Sequence, residues 1–193
     1  MAIRLSNQRY EEIKCIIVRM FLEYGVSCVP INGFEIAHKM GVKVMPYSAY
    51  SSNIRWLLIK KSEDGFSVEK TNGQWYIFYN DEKDYGRVNH TIMHEIGHIV
   101  LDHSEDSELA EKEVKFFAKY ALAPPVLIHK LKLDTPESIS QTFEISYEAA
   151  CYAYNYYQKW LRFSGSDYTA YEYQLLYLFD QASLGGCLLR EKK

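Results

Sequence analysis

Apolar side chains recur at helical spacing from the start of the chain. Between residues 6 and 24 they fall at every third or fourth position, with Ser6 placed to cap the first turn and Gly25 to end the last. A shorter helix is predicted over about residues 33–40, and residues 42–47 have the composition of a strand. The pattern therefore predicts two helices before the first strand.

Three segments rich in aromatic and β-branched residues follow. They are WLLIKK (56–61), FSVEK (66–70) and QWYIFYN (74–80), and turn-forming residues such as Thr71-Asn72-Gly73 separate them. Such runs joined by short turns are typical of neighbouring antiparallel strands. The pattern predicts a small, mainly antiparallel sheet that leads directly into the next helix.

From about residue 85 the hydrophobic pattern returns to helical periodicity. Helices are predicted over about residues 85–102 and 105–122. Further helices are predicted to begin at Thr135-Pro136, where proline follows a capping threonine, and at Ser146. The order of helices, then strands, then helices indicates an α+β fold with a helical C-terminal extension.

Length and composition fit one compact module with an extension. The chain has 193 residues, of which 48% are hydrophobic and 24% charged, so it can bury a sizeable core. We place the main module at residues 1–130 and the helical extension at residues 131–193. Two short helices around a turn at residues 144–146 give the extension the rhythm of a helix-turn-helix.

Charge and cysteine content limit the function classes. The formal net charge of −3 gives no sign of the excess of lysine and arginine that a nucleic-acid-binding surface needs. The four cysteines include no CxxC pair, so free thiols are expected rather than a zinc ribbon or a disulfide framework. The N-terminal segment turns charged early, and no apolar run approaches the ~20 residues that cross a bilayer. We therefore expect a cytoplasmic protein without a membrane segment.

The segment NHTIMHEIGHIVLDH (89–103) contains four of the six histidines and includes the motif HExxH at residues 94–98. Residues four apart on a helix differ by only about 40° around the axis, so His94 and His98 emerge on one face. Two neutral imidazoles placed in this way bind Zn²⁺, and Glu95 is positioned to take a proton from a water molecule. We predict one zinc ion per chain, with Glu95 as the catalytic general base.

The two other histidines of this segment fit the metal less well. A pair of His90 with His94 would lack a glutamate directly after its first member. His90 also lies about 12 Å from His98 along the helix axis, too far to share one ion with both. We assign His90 to packing or hydrogen bonding. His103 could cap the helix end, orient a metal-binding residue or contact substrate, and the sequence leaves these three alternatives open.

A catalytic zinc site needs a third protein ligand, and the next helix contains several acids. Its apolar face consists of Leu109, Phe116, Phe117 and Tyr120. Glu113 lies on that face, whereas Glu111 lies about 160° away around the axis and is expected to face solvent. A carboxylate on a buried face needs a cation, which zinc would provide. We predict Glu113 as the third zinc ligand; the alternative is a buried salt bridge to lysine or arginine.

These two helices resemble the ImmA/IrrE family of metallopeptidases. That family is marked by an HExGHxxLxH helix followed by an acidic segment of the form ExEAxxFAxxLLMP. The chain has HEIGHIVLDH (94–103), a complete match that includes His103, and EKEVKFFAKYALAPP (111–125), a partial match in which Val114 replaces alanine. The similarity spans about residues 5–130, although only the two motifs are specific to the family.

The resemblance implies a gluzincin-like α+β core, with metal binding at His94, His98 and Glu113 and general-base action at Glu95. It also implies cleavage of a DNA-binding repressor, often a helix-turn-helix protein of the XRE type, which derepresses stress or mobile-element genes. Many relatives carry such a repressor domain fused at the N-terminus. The chain has no room for one, so we expect a separately encoded repressor as the partner.

Two other functions remain open from the sequence. The peptidase-like module could act without catalysis, by binding and sequestering a repressor or by sensing metal. The extension could bind DNA directly, but residues 146–161 contain several tyrosines, no arginine and a single lysine, Lys159. Packing, or docking of a protein partner, is therefore favoured over contacts with nucleic-acid phosphates.

Overall fold

Helices and one small sheet make up the described part of the chain, which in this computed structural model comprises residues 4–103, 105, 107–164 and 167–184. The helices are α1 (Asn7–Glu23), α2 (Gly33–Lys39), α3 (Ser52–Lys61), α4 (Tyr85–Val100), α5 (Glu108–Leu122), α6 (Pro125–Lys130), α7 (Pro136–Phe143), α8 (Tyr147–Ser164) and α9 (Ala170–Leu184), and the strands are β1 (Lys43–Pro46), β2 (Gly65–Glu69) and β3 (Trp75–Tyr79). The predicted α+β class with a helical extension is confirmed.

The sheet has the strand order β1-β3-β2, so β3 is central and β2 forms one edge. β2 and β3 are antiparallel, as the turn between them predicts, with Ser67 opposite Ile77. β1 runs parallel to β3 and pairs Val44 with Ile77. The parallel pair arises because the chain passes through α3 between β1 and β2, and a sheet predicted to be mainly antiparallel is therefore mixed.

The segment WLLIKK, predicted to be a strand, lies in helix α3. A short apolar run is compatible with either structure, because four residues are too few to distinguish the two periods. Leucine, lysine and arginine all favour helices, and the backbone carbonyl of Ser51 accepts the first helical hydrogen bond, from the amide of Arg55, at 2.8 Å. None of the residues of α3 is buried, so packing did not select a strand.

Helix α4 lies between the sheet and α5, and glycines allow both contacts to be close. A Cβ atom at Gly97 of α4 would stand 3.0 Å from the ring of Phe117 in α5. A Cβ atom at Gly65 of β2 would stand only 2.6 Å from the side chain of Thr91 in α4. Ile92 and Ile96 of α4 are fully buried in the core. The helix that carries HExxH is thus held from two sides.

A buried amide joins α4 to the start of α2. The side chain of Asn89 is fully buried and accepts a hydrogen bond from the amide of Gly33 at 2.7 Å. It donates to the backbone carbonyl of Ile31 at 2.9 Å. Because both partners are backbone groups with no helical partner of their own, Asn89 ties the loop before α2 to the helix of the motif.

The C-terminal extension packs on the predicted main module. Thr135 caps α7 as predicted, and Glu144, in the left-handed conformation at φ 52°, ends it before α8 begins. Helix α8 contacts α5 and α6, and α9 contacts α1, where the hydroxyl of Tyr171 donates to Glu11 at 2.7 Å. The boundary at residue 130 stays a prediction, and residues 185–193 of the extension lie outside the described ranges.

The cysteines differ in their bonding state. Cys15 and Cys151 are free thiols, as predicted, whereas Cys28 is disulfide-bonded, so the prediction was wrong there. Cys187 lies outside the described residues. Within the described ranges, no helix combines the length and the apolar character that crossing a membrane requires.

Candidate metal centre

Helix α4 presents two imidazoles side by side. Asp84 caps its start by accepting a hydrogen bond from the amide of Arg87 at 3.0 Å. Further along the helix, the rings of His94 and His98 have centroids 5.1 Å apart, and their side chains are 16% and 14% exposed. The i, i+4 geometry that the motif predicts is therefore formed, and both Nε2 atoms face the groove between α4 and α5.

The carboxylate that meets this pair belongs to Glu111. Its Oε1 atom lies 3.6 Å from Nε2 of His94 and 3.3 Å from Nε2 of His98. Among the described residues, these three side chains form a group whose ligand atoms all lie within 4.8 Å of one another. Glu113 does not belong to it. Glu111, which was predicted to face solvent, therefore lies where the predicted ligand Glu113 was expected, and the geometry favours Glu111 as the third ligand.

Glu113 does lie on the buried face of α5, but it finds another cation there. Its Oε1 atom accepts a hydrogen bond from Nε of Arg9 at 2.8 Å, and its Oε2 atom one from Nη2 at 2.6 Å. Nε2 of His103 contacts the same Oε2 at 3.1 Å. The buried salt bridge that stood as the alternative is therefore what the structure contains. The position of a carboxylate on an apolar helix face indicates that it needs a cation, but it does not tell whether that cation is a metal ion or an arginine.

Glu111 lies at the margin of the contact between α4 and α5, where its side chain is 39% exposed. One turn further along α5, Val114 is buried against Gly97, the glycine between the two histidines. Residues three apart share a helix face, so Glu111 shares the face that meets α4. The glycine of HEIGH was the available signal, because a residue without Cβ marks where another helix approaches.

The three groups fit a zinc ion. Burial lowers the pKa of His94 below its usual range, so this imidazole is neutral near pH 7. The distances of 3.3 and 3.6 Å exceed the roughly 2.7–2.9 Å of a charge-assisted hydrogen bond. They agree with the separation of about 3.4 Å between two ligands that each lie about 2.1 Å from one tetrahedral ion. Two histidines and one carboxylate are also a donor set of catalytic zinc.

Charge around Glu111 keeps it available as a ligand. Burial raises the pKa of Glu111, but the hydrogen bond from Lys115, with the electrostatic effects of that lysine and of the two nearby imidazoles, outweighs burial and holds the pKa below its usual range. Nζ of Lys115 lies 3.2 Å from Oε2, the oxygen that does not face the histidines. The carboxylate therefore directs Oε1 to the imidazoles and Oε2 to the lysine.

Glu95 is held beside the centre by a residue that the sequence did not indicate. The hydroxyl of Ser67 donates to Oε2 of Glu95 at 2.7 Å. Glu95 is only 8% exposed, and burial raises its pKa, an effect that the hydrogen bond from Ser67 partly offsets. Ser67 lies opposite the buried Ile77, so it shares the sheet face turned towards α4. A polar residue on the inner face of a strand was the available signal.

A cavity of about 450 Å³ gives access to the centre. It is lined by all of β2, by Lys61 and Ser62 at the end of α3, and by Trp75 of β3. Glu95, His98 and Glu111 also line it, together with His103 and Glu105. The general-base candidate and two of the three possible ligands thus face a single cleft that an extended chain can enter along the sheet edge.

The other two histidines of the motif segment, His90 and His103, lie outside the group of three candidate ligands. The ring of His90 lies 6.4 Å from that of His94, between centroids, and outside the group of three ligands. It lines a second cavity with Lys119 and Tyr152, and burial lowers its pKa. His103 lies behind the centre, with Nδ1 3.3 Å from Nδ1 of His98. His103 therefore lines the cleft and also contacts His98 of the motif.

Comparison with known proteins identifies the family of the chain. The family model described as Peptidase M78, IrrE N-terminal-like domain, matches residues 36–155, which is more than half of the chain and includes α4 and α5 with the candidate ligands. No curated protein matches the chain. The resemblance of the two motifs to ImmA/IrrE metallopeptidases is thereby confirmed. The chain belongs to the M78 family of metallopeptidases, with an IrrE N-terminal-like domain.

Proposed function

We propose that the protein is a zinc-dependent endopeptidase that cleaves a regulatory protein. The observation that carries the proposal is the convergence of His94, His98 and Glu111 beside Glu95, which faces the same cleft. His₂Glu sets that leave a further position open are typical of catalytic rather than structural zinc. Membership of a peptidase family supports peptide bonds as the substrate.

Each residue has a distinct part in this chemistry. Zinc, held by His94, His98 and Glu111, would supply a Lewis acid that polarises the scissile carbonyl and makes water acidic enough to react. Glu95 takes the proton from the attacking water and delivers it to the leaving amine. Ser67 holds one carboxylate oxygen of Glu95 at 2.7 Å, so the carboxylate keeps a fixed orientation towards the cleft.

The edge of the sheet supports an extended peptide as the bound form. β2 is an edge strand, and all five of its residues, Gly65–Glu69, line the cavity beside the metal centre. An exposed strand edge can pair with an incoming peptide through backbone hydrogen bonds, which give affinity without demanding one sequence. This arrangement suits a flexible segment of a protein better than a compact small molecule.

The proposed target is a separately encoded helix-turn-helix repressor of the XRE type, whose cleavage derepresses stress or mobile-element genes. Family membership supports this choice of target, and the formal net charge of −3 favours a protein partner over DNA. The C-terminal helices, rich in tyrosine, are then available for packing or for contact with that protein.

Replacement of the general base tests the proposal. The full chain and its Glu95→Gln variant are co-expressed with helix-turn-helix repressors encoded beside it, and new fragments are identified by intact mass. We expect cleavage by the wild type and none by the variant, with about one zinc per chain in both because Glu95 is not a ligand. Normal cleavage by Glu95→Gln would refute the mechanism. A partner whose activity changes without a new N-terminus would instead favour a non-catalytic regulator that sequesters it.

A further inference from the structure

A continuous chain of side-chain contacts leads from the candidate metal centre to the N-terminal helix. Nδ1 of His98 lies 3.3 Å from Nδ1 of His103, and Nε2 of His103 lies 3.1 Å from Oε2 of Glu113. Glu113 accepts from Nε and Nη2 of Arg9 at 2.8 and 2.6 Å. Arg9 belongs to α1, which precedes the family match at residues 36–155.

We propose that Arg9, Glu113 and His103 form a positioning relay that fixes the ring and the tautomer of His98 for binding zinc. The inference rests on the proposed zinc site and adds residues that do not touch the ion. It also makes α1 a functional part of the metal centre, although α1 contributes no ligand to the group of three.

Proton accounting along the relay gives a single neutral arrangement. Arg9 can only donate, so both oxygens of the ionised Glu113 accept from it. Because Oε2 is an acceptor, Nε2 of a neutral His103 must carry its proton, and Nδ1 of that ring then has a free lone pair. That lone pair can accept only if Nδ1 of His98 carries a proton. Nε2 of His98 is then unprotonated, as a zinc ligand must be.

With a neutral His103, the same contacts disfavour the opposite tautomer of His98. If Nε2 of His98 carried the proton, its Nδ1 would be an acceptor and a neutral His103 would have to donate from its own Nδ1. Nε2 of His103 would then direct a lone pair at the carboxylate of Glu113, 3.1 Å away. Two acceptors at that distance repel each other, most strongly where water is excluded.

Burial keeps the relay intact. The side chains of His103 and Glu113 are 12% and 7% exposed, so water cannot readily replace either partner. Arg9 is 32% exposed and supplies the cation that a buried carboxylate needs. Hydrogen-bonded partners of this kind behind a metal-binding histidine fix its tautomer, and their loss typically weakens metal binding about 10–100-fold.

Zinc affinity, measured by chelator competition with the metal alone, tests the relay. His103→Leu removes the acceptor for Nδ1 of His98, and we expect about 10–100-fold weaker zinc binding. His103→Gln restores a carbonyl acceptor for His98 and an amide donor for Glu113, so it should recover much of that affinity. Arg9→Met, which removes the two hydrogen bonds that hold Glu113 in place, should weaken binding by about tenfold.

Two controls separate this role from structural support. Glu12→Ala removes the other carboxylate partner of Arg9, 3.2 Å from Nη1 and outside the relay, and should leave zinc affinity unchanged. Nitrogen-15 spectra of the histidine side chains identify the protonated ring nitrogen, and Nδ1 of His98 should carry the proton in the wild type. If His103→Leu does not fold, Glu113→Leu removes the acceptor for Nε2 of His103 with little change in side-chain size.

The outcomes distinguish the relay from the peptidase activity. Wild-type zinc affinity in a folded His103→Leu or Glu113→Leu variant would overturn the relay, as would an equal loss in His103→Leu and His103→Gln at equal stability. A proton on Nε2 of His98 in the zinc-free wild type would also overturn it. Cleavage that survives Glu95→Gln would instead refute the proposed mechanism and leave the relay standing, because zinc affinity is measured without substrate.

Discussion

Glu111 decides whether the metal centre has been identified correctly, and Glu111→Ala is the direct test. The substitution removes the one carboxylate that faces both imidazoles, at 3.6 Å from Nε2 of His94 and 3.3 Å from Nε2 of His98. Glu108→Ala is the matched control, because Glu108 lies on the same helix with a 62% exposed side chain and pairs with Lys112 at 2.7 Å.

The expected loss follows from the number of ligands. Zinc binding by a four-ligand protein site has a free energy of about 10–16 kcal/mol, so one ligand corresponds to roughly 2.5–4 kcal/mol, or about 100–1,000-fold in affinity. At a fixed zinc concentration well above the dissociation constants of both the wild type and the variant, the same free energy is lost from zinc-linked stability. For a chain of this size we expect a melting temperature roughly 5–15 °C lower in the presence of zinc.

The zinc-free proteins should differ little. Without the ion, Glu111 pairs with Lys115, which is 60% exposed and 3.2 Å away, and such surface pairs contribute about 0–1 kcal/mol. Chelator competition and thermal unfolding, each with and without zinc, measure both quantities. Wild-type zinc affinity in Glu111→Ala, or a loss of the same size in Glu108→Ala, would refute the assignment of Glu111 as a ligand.

Two substitutions away from the ligands test the packing that supports the centre. Asn89→Ala leaves the amide of Gly33 and the carbonyl of Ile31 buried without their partners, and we expect a loss of about 2–4 kcal/mol in the free energy of unfolding by urea. Tyr120→Phe should leave stability unchanged or raise it by up to about 1 kcal/mol, since the buried hydroxyl of Tyr120 has no hydrogen-bond partner among the described residues. A loss above 1 kcal/mol in Tyr120→Phe would show that this hydroxyl is satisfied.

The candidate metal centre and the candidate base depend on different parts of the fold. His94, Glu95 and His98 come from one helix, whereas Glu111 comes from the next, and Ser67 comes from the edge of the sheet. Helix α4 is therefore the common support, and its contacts with Gly65 on one side and Phe117 on the other limit how far it can move. A shift of α4 would separate the base from the serine and the histidines from Glu111 together.

The sequence was sufficient to predict features that depend on interactions within one turn of a helix. Ser6 caps α1 by accepting from the amide of Arg9 at 3.1 Å, and the hydroxyl of Thr135 accepts from the amide of Ser138 at 3.1 Å. The two histidines of HExxH share a face because helix geometry alone places residues four apart together. Each of these features involves groups at most four positions apart, so the neighbouring sequence is enough.

Prediction failed at WLLIKK because its outcome depends on what covers it. Trp56 and Leu57 are 60% and 57% exposed, so no layer of the fold buries this apolar run as a strand. Local preference for helix then decides, together with the need to connect β1 to an antiparallel β2. An apolar segment of this length carries no information about which neighbour will meet it.

By itself, the sequence determined the motif helix with its two histidines and glutamate on it, the α+β class, and the presence of a partnered carboxylate on the next helix. Only the tertiary structure decided which carboxylate meets the histidines. The rotation of α5 against α4 directs Glu111 to the groove. Glu113, which helical phase had favoured as the ligand, instead pairs with Arg9, 104 residues earlier in the chain. Helical phase specifies a face but not the element packed against it, because that depends on residues distant in the chain.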